Sequence, residues 1–208
     1  MRRGALGRRF ARLATNALVR MPGLDRVFRP LLRAQFDRLA PRWDTIVGPD
    51  HLAPLEAALA VVEAPSRALD LGTGTGEGAV AIARRFPEAD VVGVDLSARM
   101  VDEARRKLPP DLIGRVRFEQ SDASALPFDD GGFDLVALVN MIPFFDELAR
   151  VLAPGGTVVF SFSRARATPI YVPFERLRSE LAARGFSEFA EFAAGSGTAL
   201  LARSTARL

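Results

Sequence analysis

The chain has 208 residues, 49% of them hydrophobic, enough for one globular domain with a sizeable core. It contains no cysteine, which excludes a disulfide framework, a zinc ribbon, an iron–sulfur cluster and a thiol nucleophile. Its net charge is only +3 but unevenly spread: residues 1–42 hold 11 arginines against Asp25 and Asp37, a balance of +9, which leaves −6 for the rest.

In the basic segment, Phe10, Leu13, Ala14, Ala17, Leu18 and Met21 fall on one helical face, with Arg9, Arg12 and Arg20 mostly on the other. Pro22-Gly23 breaks that pattern, and a second runs through Val27, Leu31, Ala34 and Leu39, with Pro30 as a start or kink. Residues 1–48 therefore read as a basic helical arm, and residues 49–208 as the main domain. Three roles fit the arm: a lid on the body, a membrane-surface helix, or a nucleic-acid contact. The last lacks interleaved stacking aromatics. Arg12 and Asn16 interrupt any export-signal core, and the longest apolar run, Leu135 to Phe145, contains Asn140 and Pro143. A cytoplasmic location is expected, with peripheral membrane contact through the arm as the variant.

A helix is expected from Leu52 to Val62. Thereafter strands alternate with helices, the pattern of a doubly wound α/β sheet. Strands are expected near Arg67–Leu71, Val91–Asp95, Val116–Gln120, Leu135–Asn140 and Thr157–Ser161. Helices are expected near Glu77–Phe86, Ala98–Leu108, Phe144–Leu152 and Pro173–Arg184. Glu188–Ala193 and Thr198–Ala202 flank Gly195-Ser196-Gly197 and read as a hairpin.

The chemistry concentrates after the first strand. Asp70-Leu71-Gly72-Thr73-Gly74-Thr75-Gly76 is a carboxylate followed by three alternate glycines, then a helical pattern. Such a turn aims backbone amides at a ligand and lets it approach closely. Asp95 ends the second strand, where a carboxylate can accept both hydroxyls of a ribose. The strict dinucleotide spacing fails because residue 77 is Glu. Asp70 and Glu77 would also repel a pyrophosphate, and they suit a ligand carrying positive charge. Asp70, Asp95, Asp122 and Asn140 all stand at or just beyond strand ends, so they can converge on one crevice.

The glycine turn with its preceding acid resembles motif I of the class I S-adenosylmethionine-dependent methyltransferases. Leu96–Ala104, Glu119–Ala123 with Leu126-Pro127-Phe128, Phe133-Asp134-Leu135-Val136 and Glu147–Thr157 resemble further segments of that family. Phe36–Asp44 is similar to the lead of its quinone-biosynthesis C-methyltransferases, with Trp43 where Tyr is usual. The resemblance implies a Rossmann-like sheet of seven strands, the last antiparallel, with an N-terminal helical lid. It implies S-adenosylmethionine held by Asp70, Gly72, Thr73, Gly74, Gly76, Asp95, Leu96, Met100, Asp122, Ala123 and Asn140. Asp95 would hold the ribose, and Asp122 the adenine amino group.

Asn140–Phe145 lacks the Asn/Asp-Pro-Pro-aromatic tetrad of amino-directed nucleic-acid methyltransferases. A small apolar or aromatic acceptor is expected instead, in a pocket of Trp43, Met141, Ile142, Phe144 and Tyr171. Ordinary core packing is the competing reading of those side chains. Candidate bases are His51, Asp146 and Tyr171, with Asp44 also near the crevice. His51, following Asp50 at a helix start, reads as an exposed surface histidine. No metal is expected. The alternatives are a methyltransferase-like module that binds without turnover, and a nucleic-acid methyltransferase using the basic arm.

Overall fold

The computed structural model describes residues 25–205, with side chains from Arg29 onward. The amphipathic pattern from Phe10 to Met21 lies outside the described residues. Five parallel strands form the centre of the sheet: β1 (Arg67–Leu71), β2 (Asp90–Asp95), β3 (Val116–Gln120), β4 (Phe133–Val139) and β5 (Leu152–Phe162). β6 (Phe186–Ala194) and β7 (Gly197–Ser204) close it in the order β3-β2-β1-β4-β5-β7-β6, with β7 antiparallel to both neighbours. This is the seven-stranded Rossmann-like sheet with a reversed last strand that the sequence implies.

Alternation along the strands supplies two apolar layers. Leu69, Leu71, Val92, Val136, Leu138 and Phe160 face one side, under α6 (Phe145–Val151) and α7 (Phe174–Ala182). Ala68, Val91, Leu135, Ala137 and Val159 face the other, under α3 (Ala53–Leu59), α4 (Glu77–Arg85) and α5 (Ala98–Lys107). Parallel strands covered on both faces must be apolar throughout, so Asp70, 1% exposed at the middle of the sheet, stands out.

The helix expected over Leu52–Val62 is shorter, Ala53–Leu59, because Val61 and Val62 bond back only three residues as the chain turns toward Pro65. Ser97 caps α5, its hydroxyl accepting from the Met100 amide at 3.1 Å. β5 begins five residues earlier than expected, at Leu152, where the strand pairing shifts register against β4.

The described part of the arm is α1 (Asp25–Leu39), with Pro30 inside it, a single 3-10 turn and α2 (Trp43–Val47). α1 lies against α5, and Phe36 meets Trp43 edge-on at 5.8 Å. The segment thereby covers the carboxyl ends of β1, β2 and β4, the point where the strand order reverses. A doubly wound sheet opens its ligand crevice there.

Candidate active site

The glycine turn is built by β2. The amides of Gly72 and Thr73 both donate to the Val94 carbonyl at 2.9 Å, and Gly72, Gly74 and Gly76 all have positive φ. Two of these glycines also make room. A Cβ on Gly72 would stand 2.7 Å from Met141 Sδ, and one on Gly74 would stand 3.0 Å from Trp43 Nε1. The turn therefore passes directly beneath the two side chains that the sequence assigned to an acceptor pocket.

Asp70 Oδ2 accepts from the Thr73 hydroxyl at 2.6 Å, while Oδ1 has no hydrogen-bond partner. Burial pushes this carboxyl up to about 6, against the pull of Thr73 and the nearby Ala79 amide, and the Asp95 charge adds to the rise. Asp95 takes the Gly74 amide on one oxygen at 3.0 Å and the Ser97 amide on the other at 2.8 Å. Burial raises its pKa in spite of those amides. Asp122 accepts from the amide and hydroxyl of Ser124, each at 2.9 Å, and is ion-paired with Arg29 of α1. Asn140 adopts a positive φ and clasps Ser163, accepting from its amide and donating to its hydroxyl.

These groups line a largely apolar cavity of about 180 Å³. Its lining includes Asp95, Leu96, Met100, Asp122 and Ala123 together with Met141, Ile142, Phe144, Trp43 and Phe36. A smaller space of about 30 Å³ continues past Gly72 and Asn140 to Asp70, Thr73, Glu77 and His51. Met141 and Phe144 also pack against the main apolar layer, so wall and core are one body here.

Three expectations are corrected. His51 is not an exposed surface residue: its side chain is 10% exposed, because α2 and α3 fold over it, and it contacts Gly48 and Glu77. Asp146 points away from the cavity, 92% exposed and paired with Arg184 at 2.7 Å, because α6 buries Phe145, Leu148 and Val151 and leaves Asp146 on its outer face. Tyr171 packs its ring on Phe162 at 5.0 Å, and its neighbour Ile170 lines the cavity in its place. Neither Asp146 nor Tyr171 is positioned as a base.

Two site residues, Arg29 and Asp37, escaped the sequence reading, and the partners of Asp44, which it placed near the crevice, were not foreseen. Arg29 reaches Asp122 and Ser124. Asp37 accepts from the Ser97 hydroxyl at 2.6 Å. Asp44 accepts from the Thr75 hydroxyl at 2.7 Å and pairs with Lys107 at 2.5 Å, and these partners hold its pKa down although burial raises it. Thr75 and Ser97 sit in or beside the expected motifs. Ser97 before a helical run was a readable cap.

The donor set fits an adenosyl sulfonium. Four carboxylates (Asp70, Glu77, Asp95 and Asp122) and an asparagine line the two spaces, and Asp70 has a buried oxygen lacking a partner; the basic side chains there, Arg29 and His51, are each paired with one of these carboxylates. Among the described residues no cluster of His, Cys, Asp and Glu could hold a metal ion.

Comparison with known proteins agrees. A family profile described as "Methyltransferase domain" matches residues 68–156. A demethylmenaquinone methyltransferase of Thermus thermophilus is 42% identical over 137 residues, 60% of this chain and 62% of that protein. The ubiquinone/menaquinone biosynthesis C-methyltransferase UbiE of Geotalea daltonii is 33% identical over 162 residues, 70% of this chain and 67% of that protein. A solved methyltransferase from Aquifex aeolicus shares the fold, with a TM-score of 0.64 at 17% identity over 79% of this chain and 97% of that chain.

The chain belongs to the class I S-adenosylmethionine-dependent methyltransferases, in the group that holds the quinone-biosynthesis C-methyltransferases. S-adenosylmethionine is the cofactor of that family. The matched region spans between 55% and 62% of the length of the first curated relatives.

Proposed function

We propose that this chain transfers the methyl group of S-adenosylmethionine to a ring carbon of a small aromatic, quinol-type acceptor. The carrying observation is a single, largely apolar cavity whose lining joins Asp95, Asp122 and the glycine turn with Met141, Ile142 and Phe144. The relatives named for demethylmenaquinone support the acceptor class.

When bound, the cofactor supplies a methyl group already activated on a sulfonium. The protein has to align the acceptor and exclude water. Asp95 holds the ribose hydroxyls, with its carboxylate fixed by the Gly74 and Ser97 amides. Asp122 and Ala123 receive the adenine edge, with Leu96 and Met100 around the ring. Asp70, at the inner space, faces the positively charged end. Trp43 and Phe36 close the cavity from above, and Met141, Ile142, Phe144 and Ile170 give the acceptor an apolar seat. His51 has both ring nitrogens engaged, so it anchors the loop and does not take a proton from the acceptor.

A second reading, binding without turnover, has one observation in its favour: Arg29 already occupies the Asp122 carboxylate. Titration calorimetry with S-adenosylhomocysteine and, separately, NADH comes first, with Asp95→Ala beside the wild type. The expected result is homocysteine-product binding weakened in the variant, and no NADH binding. Transfer of labelled methyl from cofactor to demethylmenaquinol then separates enzyme from binding module. Tight cofactor binding with no transfer to any quinol would favour the module.

A further inference from the structure

We propose that the outer face of α1 and of the turn into α2 docks on an anionic lipid bilayer, setting the roof of the cavity against the membrane. The surface stands on its own observations. Only the passage of an acceptor from the bilayer into the cavity rests on the function proposed above.

The segment from Arg29 to Val47 divides its side chains sharply. Its inward face carries Arg29, Leu32, Phe36 and Trp43, which line the cavity. Both of its acids also turn inward, Asp37 to the Ser97 hydroxyl at 2.6 Å and Asp44 to Thr75 and Lys107. What remains outside is positive. Arg33, Arg38 and Arg42 are exposed, and no acidic partner is found for them among the described residues. Many arginines of the body are paired, Arg106 with Glu103, Arg150 with Glu147, Arg184 with Asp146 and Arg203 with Glu63, and those without an acidic partner among the described residues, such as Arg85, Arg115 and Arg164, donate to backbone carbonyls.

Apolar side chains stand among these free charges. Leu31 is 64% exposed and Ile46 is 44% exposed, two of the four large exposed hydrophobics among the described residues. Guanidinium groups beside protruding aliphatic side chains match a bilayer interface, where lipid phosphates meet the outer acyl region. Along the sequence the charge is divided the same way, residues 1–42 carrying +9 and the remainder −6, so the basic end of the chain is the part an anionic surface attracts.

Nucleic acid would be drawn by the same charges but lacks a platform here. The aromatics of the segment, Phe36 and Trp43, are turned onto each other and the glycine turn. Among the described side chains, no aromatic is left on the outer face for a base to stack on.

The test is co-sedimentation of the full-length chain with vesicles of phosphatidylcholine mixed with phosphatidylglycerol, and with phosphatidylcholine alone. Binding to the mixed vesicles that falls with salt is expected, and no binding to the neutral ones. Each arginine near the surface contributes about fivefold, so the triple variant Arg33→Gln, Arg38→Gln, Arg42→Gln should bind about a hundredfold more weakly. Leu31→Asp should weaken binding while leaving its salt dependence in place. Quenching of Trp43, the only tryptophan, by S-adenosylhomocysteine reports folding in every variant, and Leu31→Asp carries the test if the triple variant misfolds. Wild-type pelleting by the folded triple variant overturns the proposal. So does equal binding to neutral vesicles, or binding of an RNA oligomer with no vesicle binding. Loss of cofactor binding in the wild type would strike the proposed function and leave the vesicle result standing.

Discussion

His51 Nε2 stands 3.1 Å from Glu77 Oε2, while its Nδ1 stands 2.7 Å from the Gly48 carbonyl. Both partners are acceptors, so the ring satisfies them together only with both nitrogens protonated. Burial pushes its pKa down, but Glu77, the Gly48 carbonyl and the charge of Asp44 outweigh burial and leave it raised above 6.5. The imidazolium thereby ties the loop before α3 to the first residue of α4, directly after the glycine turn.

The folded pKa is raised, so this contribution to stability is complete below the unfolded value and is lost as pH rises through the folded one. Thermal unfolding of the wild type should show that loss above pH ~6.5, and His51→Gln should remove it. Because His51 is the only histidine, its ring protons give one unobscured NMR titration. A midpoint at or below the ordinary histidine value would contradict the clamp.

Arg29 places the second tie, on Asp122 and Ser124, at the wall of the cavity. Both partners of the ion pair are about a quarter to a third exposed (31% and 26%), so its worth is near ~1 kcal/mol, or about fivefold in a rate. Arg29→Ala should speed dissociation of S-adenosylhomocysteine by about that factor, read by stopped-flow fluorescence of Trp43. High salt should bring the wild type toward the variant. An unchanged dissociation rate would mean that α1 does not hold the cavity closed.

Asp70 gives the opposite pH signature to an ordinary surface carboxylate. Its folded pKa of about 6 lies above the ordinary aspartate value of 3.8, so the folded protein holds the proton longer than the unfolded chain. Its contribution is therefore complete below pH 3.8 and is lost as pH rises to about 6. Asp70→Asn should flatten that part of the stability profile. A cationic ligand favours the ionised form, so affinity for S-adenosylmethionine should rise with pH through the same window in the wild type and not in the variant. Calorimetry in buffers of different ionisation heat measures the proton released. No release would remove Asp70 from the charged end of the site.

The strands and the motif acids were legible because each is fixed locally. An apolar run bounded by turns has few other fates, and Asp70, Asp95 and Asp122 end such runs. What was not legible depends on the tertiary path. His51 is buried by α2, whose position follows from Trp43 resting on Gly74, and no spacing announces that contact. Asp146 looked close to the site because it is six residues after Asn140, yet it falls on the face of α6 opposite the buried Phe145, Leu148 and Val151. Tyr171 and Ile170 differ by one residue, which in an irregular segment decides between core and cavity. Asp37 reads as an ordinary charge in the sequence, and only the packing of α1 on α5 makes it a tie to Ser97; Asp44 was placed near the crevice, but its pairing with Lys107 was not announced by any spacing.

Arg150 shows how a signature distant from the cavity can govern it. Its guanidinium meets Glu147 at 2.6 Å, Asp130 at 2.8 Å, and the carbonyls of Phe128 and Leu126 at 2.7 and 3.0 Å. Glu147 in turn accepts from the Leu126 amide at 2.6 Å, and Arg150 holds its pKa down against burial. One planar fork thus gathers the segment that follows Asp122, a task an ammonium cannot copy. Arg150→Lys should cost about 1–3 kcal/mol in denaturant unfolding, because several partners are left unmet together. It should also raise amide exchange from Ala123 to Asp130 and weaken S-adenosylhomocysteine binding, although residue 150 lines neither cavity. Exchange that stayed at the wild-type level with binding lost would mean that Arg150 acts on the cofactor by its charge and not by holding the loop.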